Sequence, residues 1–177
     1  MILVTGGSGL VGCHLLHELT KKHNQVFALK RSTSNIDIVK KVFSYYSKNH
    51  IELFEKIKWI NGDLNDIDSL SNAFSNVTEV YHCAAFISFD SKDLNAMKKI
   101  NVEGTANIVN CALDFGVKKF CYVSTIAAIG LSTNKLTDEN TEWFDNKNPY
   151  SMTKKNAEME VWRGISEGLN AVIVNPG

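Results

Sequence analysis

The sequence is poor in the residues that mark several classes of protein. Only two of its 177 residues are proline, so no proline-rich linker divides it. The four cysteines, Cys13, Cys83, Cys111 and Cys121, form no Cys-x-x-Cys pair. Each lies in an apolar stretch, where a free thiol behaves as a small buried hydrophobe, so a disulfide scaffold is a poor fit and a reduced compartment fits well. Charge of one sign is missing too: 19 Lys+Arg balance 19 Asp+Glu. That leaves no electrostatic footprint for a nucleic acid or an anionic membrane, and scattered pairs such as Lys21-Lys22 and Lys98-Lys99 read as solvated helix faces. No apolar run approaches the roughly 20 residues that span a bilayer, and no charged segment precedes the opening Ile2 to Val4. The expectation is a cytoplasmic protein with no nucleic-acid or membrane partner. His14, His17 and His23 are joined by no thiol or carboxylate at ligand spacing, so no metal site is expected.

What remains is ordinary folded-domain composition, 44% hydrophobic and 21% charged, at a length that suits one domain. Apolar runs of strand length alternate with helical patterns from end to end. That alternation is the mark of a parallel sheet covered by helices on both faces. Six strands are predicted, at 2–5, 26–30, 57–60, 79–83, 119–124 and 171–175, in the order 3-2-1-4-5-6 of a doubly wound Rossmann α/β fold. Helices are predicted at 10–22, 36–47, 67–76, 92–115 and 149–167, with a short further one at 50–56. The helix at 92–115 is stopped by Gly116, while Asn148 and Pro149 suit the start of the last one. Residues 134–147 are polar and irregular for long enough to form a functional flap.

The first strand runs directly into Thr5-Gly6-Gly7-Ser8-Gly9-Leu10-Val11-Gly12 and then into an apolar helix. Two glycine spacings are present: Gly7, Gly9 and Gly12 fit GxGxxG, and Gly6, Gly9 and Gly12 fit TGxxGxxG. Either one provides a tight turn, a close backbone approach to a pyrophosphate, and a helix N-terminus whose open N–H groups at Leu10 and Val11 face the anion. Nicotinamide dinucleotides usually meet a carboxylate at the end of strand two. Here stand Lys30, Arg31 and Ser32, with no Asp or Glu in residues 25–35. An arginine fork suits a 2′-phosphate, so NADP is favoured over NAD; the alternative is a solvated loop and NAD held by main-chain contacts. Asp63 and Leu64 follow strand three where an adenine would lie, although a solvent-facing turn also explains Asp63.

Tyr150 and Lys154 open the final helix at i,i+4 spacing, on one helical face. A phenol with a pKa of about 10 is a weak acid-base group near neutrality unless a cation stabilises its phenolate. Lys154 is expected to lower the pKa of Tyr150 in this way. Ser124 and Thr125 close strand five.

These residues together resemble the extended branch of the short-chain dehydrogenase/reductase superfamily, the NAD-dependent epimerase/dehydratase family. The marks are Thr5 to Gly12, Gly62-Asp63-Leu64, His82-Cys83-Ala84-Ala85, Asn101 with Gly104 and Thr105, Tyr122 to Thr125, Tyr150 with Lys154, and Asn175-Pro176-Gly177. The resemblance implies that Thr125 hydrogen-bonds the substrate oxygen, Tyr150 exchanges the proton and Lys154 also holds the nicotinamide ribose. It further implies that Ala84, Ala85, Ser124 and Pro176 border the cofactor. Asn101 would shape its helix and that helix's water contacts, or serve only in polar packing. A homodimer through the fourth and last helices is implied as well. Thr125 is followed by Ile126-Ala127-Ala128 rather than an acidic pair, which disfavours dehydratase chemistry, and Ala128-Ile129-Gly130 replaces the VYG triplet of many epimerases. The stretch around Thr125 looks more like the dihydroflavonol-reductase-like group, whose members reduce carbonyls with NADPH.

Three functions stay open at this point. The leading one is an NADP-dependent oxidoreductase acting on a carbonyl or secondary alcohol of a small-molecule substrate. A nucleotide-sugar epimerase using NAD and a non-catalytic dinucleotide-sensing module are the others. The resemblance also implies a further strand and a C-terminal substrate lobe beyond Gly177. The chain therefore reads as an N-terminal part, expected to bind the dinucleotide with little turnover.

Overall fold

The computed structural model describes residues 1–130, 138–141 and 148–177. The flap expected at 134–147 lies outside the described residues except at 138–141. Six parallel strands form one sheet: β1 (Ile2–Thr5), β2 (Val26–Lys30), β3 (Ile57–Asn61), β4 (Glu79–His82), β5 (Lys119–Val123) and β6 (Ala171–Val174). Their order is β3-β2-β1-β4-β5-β6, that of the doubly wound fold. The chain reverses its direction of strand addition between β1 and β4. A ligand crevice is expected outside the carboxyl ends of the strands at such a switch point.

β1 is buried along its whole length because it lies in the middle of the sheet and meets helices on both faces. Its alternation sorts the core into two. Leu3 points to one side with Leu70, Phe74, Ile108, Phe120 and Val161, while Ile2 and Val4 point to the other with Leu16, Val39, Phe43 and Leu53. The second side is covered by α1 (Leu10–Lys22), α2 (Asp37–Tyr46) and α3 (His50–Glu55), and the first by α4 (Ile67–Ala73), α6 (Gly104–Asp114) and α7 (Pro149–Ser166). Asn148 caps α7, its Oδ1 accepting from the Tyr150 and Ser151 N–H groups.

One predicted element differs in kind. The continuous helix expected at 92–115 is a series: a 3-10 turn (Ser91–Asp93), α5 (Leu94–Met97), a π-helical segment (Lys98–Glu103) and α6. Two side chains account for the interruption. Asp90 caps the first turn by accepting from the Lys92 N–H, and the Thr105 hydroxyl donates to the Asn101 carbonyl at 2.5 Å, competing with the regular ladder. Among the described residues no helix is long and apolar enough to cross a membrane.

Candidate functional site

A cleft of about 550 Å³ opens where β1, β2, β3 and β4 end. Thr5, Gly6 and Gly9 line it from the first turn, Lys30 and Arg31 from the second, Gly62 to Asn65 from the third, and Cys83 to Phe86 from the fourth. Each group follows a strand's carboxyl end, so the parallel topology itself brings them together. A shallower hollow of about 310 Å³ adjoins it, lined by Arg31, Ser32, Asn61, Asp63, Asp66 and Ser69.

The two glycine spacings are separated by geometry. Gly6 has φ +69°, and a Cβ there would lie 2.5 Å from the Ala84 nitrogen, so this position makes the tight turn against the loop after β4. The Gly9 N–H closes the turn on the Gly6 carbonyl at 2.9 Å. A Cβ on Gly12 would collide with that same carbonyl oxygen, so α1 starts pressed onto the turn. Gly7 instead faces inward, where a Cβ would meet Leu16 at 2.8 Å. Gly6, Gly9 and Gly12 therefore form the turn, and Gly7 permits packing beneath it. The first α1 backbone bond runs from the Cys13 N–H to the Gly9 carbonyl, leaving the N–H groups of Leu10, Val11 and Gly12 as the helix's open donors. Leu10 is 78% exposed, so water or a ligand reaches this end.

After β2, the chain turns on itself: the Arg31 N–H donates to Ser34 Oγ at 3.1 Å and the Ser34 N–H to the Arg31 carbonyl at 3.0 Å. This turn holds Lys30 and Arg31 at the cleft wall, and among the described residues neither forms an ion pair. Asp63 lines the cleft but spends one carboxylate oxygen on the Asn65 N–H at 2.9 Å. The turn carrying it is anchored from behind: Asn107 donates to the Leu64 carbonyl at 2.8 Å, and Gly104 lies so near Leu64 that a Cβ would stand 2.9 Å away.

The acid-base end corrects one expectation. Lys154 is 1% exposed, and its ammonium donates to the Val123 carbonyl at 2.9 Å while lying 4.2 Å above the Tyr122 ring centroid. Burial brings its pKa down to about 8. Tyr150 is half-buried, and burial raises its phenol above the ordinary value rather than Lys154 lowering it. The i,i+4 spacing places both on one helical face, but the lysine reaches across to β5 instead of stopping at the phenol. Thr125 Oγ1 accepts from the Ala127 N–H at 3.3 Å, which caps a 3-10 turn (Ile126–Ala128) and leaves its proton available. Ser124 is buried, and its hydroxyl has no partner among the described residues. Pro176 is exposed, and its carbonyl accepts from the Ile126 N–H at 3.1 Å.

Asn101, expected to shape its helix and water contacts or to serve in polar packing, is used internally. It is 1% exposed; its Oδ1 accepts from the Phe86 N–H at 2.7 Å, and its Nδ2 donates to the Phe86 carbonyl at 3.0 Å and to Thr153 Oγ1 at 3.1 Å. With the amide fully engaged, Asn101 positions the loop after β4 against α7 and does not reach out of the protein. The cleft takes in Gly6, Gly9, Lys30, Arg31, Asp63, Leu64, Ala84 and Ala85; the residues lining it do not include Thr125, Tyr150 or Lys154. Ser34, Phe86 and Ile100 also line it and were not singled out from sequence, and Thr5, read there only as the opening of the glycine motif, lines it too. The available signal for Thr5 and Phe86 was their place just after or at a strand end. The glycine cradle, the open N–H groups and the cations without an ion pair among the described residues fit a nucleotide diphosphate.

Comparison with known proteins follows the same lines. The model of the NAD dependent epimerase/dehydratase family matches residues 2–177. A putative dihydroflavonol 4-reductase of Synechocystis is 35% identical over 176 residues, covering 98% of this chain and 47% of that protein. A UDP-glucose 4-epimerase of Vibrio cholerae is 31% identical over 183 residues, covering 99% and 50%. The crystal structure of gox2253 superposes with a TM-score of 0.84 at 33% identity, covering 99% of this chain and 51% of that one. The chain thus spans about half the length of the curated relatives it matches.

Proposed function

The chain belongs to the NAD dependent epimerase/dehydratase family, and from that premise we propose that it is the cofactor-binding and proton-transfer part of an NADPH-dependent oxidoreductase acting on a carbonyl or secondary alcohol. The observation that carries this reading is the end of β2, where Lys30 and Arg31 stand at the cleft wall without ion-pair partners among the described residues and no carboxylate occurs in residues 25–35. A carboxylate there would repel a 2′-phosphate, and an arginine fork would hold it. The 35% identity to the dihydroflavonol 4-reductase-like protein agrees with a reductase.

In this reading the Leu10, Val11 and Gly12 N–H groups hold the pyrophosphate, Arg31 the 2′-phosphate and Asp63 with Leu64 the adenine. When bound, the dinucleotide supplies the hydride. Thr125 donates a hydrogen bond to the substrate oxygen and keeps its own proton. Tyr150 delivers the proton to that oxygen in reduction, and its phenol, raised by burial, is on the acid side for this task at neutral pH. Lys154, placed by the Val123 carbonyl and the Tyr122 ring, packs under the turn of α7 that carries the tyrosine and would hold the nicotinamide ribose.

The test is a calorimetric titration of NADPH and NADH into wild type and Arg31→Ala. Wild type is expected to prefer NADPH, and Arg31→Ala to lose at least about tenfold in NADPH affinity, the scale of one charge-assisted hydrogen bond, with little change for NADH. A wild-type preference for NADH overturns the NADP assignment and moves the reading to the epimerase alternative, for which the Vibrio cholerae relative stands.

A further inference from the structure

His82 has so far been given no part, yet it is fully buried and has both ring nitrogens engaged. Nδ1 lies 2.6 Å from Thr5 Oγ1, and Nε2 lies 3.0 Å from Thr105 Oγ1. The direction of every proton in this chain follows from its ends. Thr105 has one hydroxyl proton and gives it to the Asn101 carbonyl at 2.5 Å, so its oxygen must accept from His82 Nε2–H. A neutral imidazole with its proton on Nε2 has a bare Nδ1, which accepts from the Thr5 hydroxyl. The Thr5 oxygen in turn accepts from the Ala84 N–H at 3.3 Å.

Both outer ends of this chain arrive at the candidate site. Thr5 and Ala84 line the nucleotide cleft. Asn101 holds Phe86 by its backbone N–H and carbonyl and donates to Thr153, whose hydroxyl donates to the Tyr150 carbonyl at 2.9 Å. The π-helical segment belongs to the same arrangement, since it contains Asn101 and precedes Thr105 by two residues. The chain thus runs from the last residues of β1 and β4 to the first turn of α7 through side chains and the backbone carbonyls of Asn101 and Tyr150. A charged ring is disfavoured here on two counts: Thr5 Oγ1 would have to accept from both the ring and the Ala84 N–H, so that its own proton loses the ring as acceptor, and Lys154 already carries positive charge over the Tyr122 ring, whose centroid is 5.5 Å from that of His82. Burial and Lys154 together hold the imidazole at about 3, well below its ordinary value.

We infer that His82 is a positioning residue for this site: as the neutral Nε2–H tautomer it splices the floor of the nucleotide cleft, at Thr5 and Ala84, to the Asn101–Thr153 support of Tyr150. The inference rests on the proposed function only for the identity of the ligand that the splice serves. Its consequence is that nucleotide binding and the placement of the tyrosine share one set of hydrogen bonds, so that loss of a central hydroxyl is felt at both ends.

Thr105 offers the discriminating variants, because Thr105→Ser keeps the hydroxyl and Thr105→Val keeps the shape. Three readouts are needed on the 177-residue chain: the histidine tautomer by nitrogen-15 NMR, hydrogen exchange of the Phe86 amide, and NADPH affinity by calorimetry, each with the thermal midpoint recorded. His82 is assigned from its missing signals in His82→Phe or, if that variant does not fold, from the perturbation of one histidine in Thr105→Val. The expected wild-type result is the Nε2–H tautomer at pH 7. Thr105→Ser should match wild type within twofold in affinity and exchange. Thr105→Val should exchange Phe86 at least tenfold faster and bind NADPH at least fivefold more weakly. An Nδ1–H or charged ring, an unaltered Phe86 amide in Thr105→Val, or equal losses in the serine and valine variants would each overturn the inference. Should wild type bind neither dinucleotide, the proposed function falls, and the tautomer and Phe86 exchange decide the splice by themselves.

Discussion

Lys154 carries its charge against the preference of its surroundings. It is buried, and one carbonyl and one aromatic face replace the water it would otherwise have. With a folded pKa of about 8 against an ordinary 10.5, the unfolded chain holds a proton between these values that the folded chain has released. Stability therefore rises with pH across that window, and the full penalty stands below about pH 8. The stability difference between wild type and Lys154→Met is expected to move in favour of wild type from pH 8 to 10.5, by at most on the order of 3 kcal/mol. Urea unfolding of both proteins at pH 7, 8.5 and 10 measures it, and a difference that does not vary with pH would sink the assignment. Cys83 interacts electrostatically with Lys154, but burial holds its thiol at about 12, so in the folded state it keeps its proton across this window and titrates only in the unfolded chain, alike in both proteins. This residue also marks where reading from sequence stopped short. Spacing identified Tyr150 and Lys154 as partners on a helix, but the length and flexibility of a lysine let its end settle on β5, and no periodicity within α7 carries that information.

Among the elements, the β1–α1 connection was the most legible, because strand, turn and helix are contiguous and Gly9 and Gly12 both act against Gly6 within the same turn. Its internal ranking was not legible. Gly12 presses on the Gly6 carbonyl and stands 2.9 Å from the Gly7 Cα, as a Cβ would find it, whereas a Cβ on Gly9 would meet the Gly6 oxygen at a tolerable 3.2 Å. Gly12→Ala is accordingly expected to lose about 1–3 kcal/mol of stability through overpacking and at least tenfold in dinucleotide affinity. Gly9→Ala should lose clearly less of both; urea unfolding and calorimetric titration of the pair would expose equal effects, which contradict the ranking. The helix expected at 92–115 failed for the opposite reason. Apolar periodicity continues through it, and what interrupts it is a hydrogen bond from Thr105 to Asn101 whose partners are fixed by His82 and Phe86 far along the chain.

Taken whole, the molecule is one sheet with two separate apolar faces, and β1 supplies Leu3 to one and Ile2 with Val4 to the other. A strand shared in this way couples the faces. Phe43→Ala on one side and Phe120→Ala on the other should each cost about 3–5 kcal/mol and still unfold in a single step, seen alike by far-ultraviolet dichroism and tryptophan fluorescence. Separate transitions for the two faces would refute that coupling. Strand order was legible at this scale because alternation of strands with helices leaves few topologies, whereas contacts such as that of Thr5 with His82, 77 residues apart, were not. The same separation constrains how the protein is made. Of the six strands, β1 is made before the others and ends in the middle of the sheet: its neighbour β2 is complete at Lys30, but β4 only at His82. At roughly 5–20 residues per second, β1 waits on the order of 4–16 s with one edge bare. During translation, β1 is the strand of this sheet for which chaperones have the longest opening.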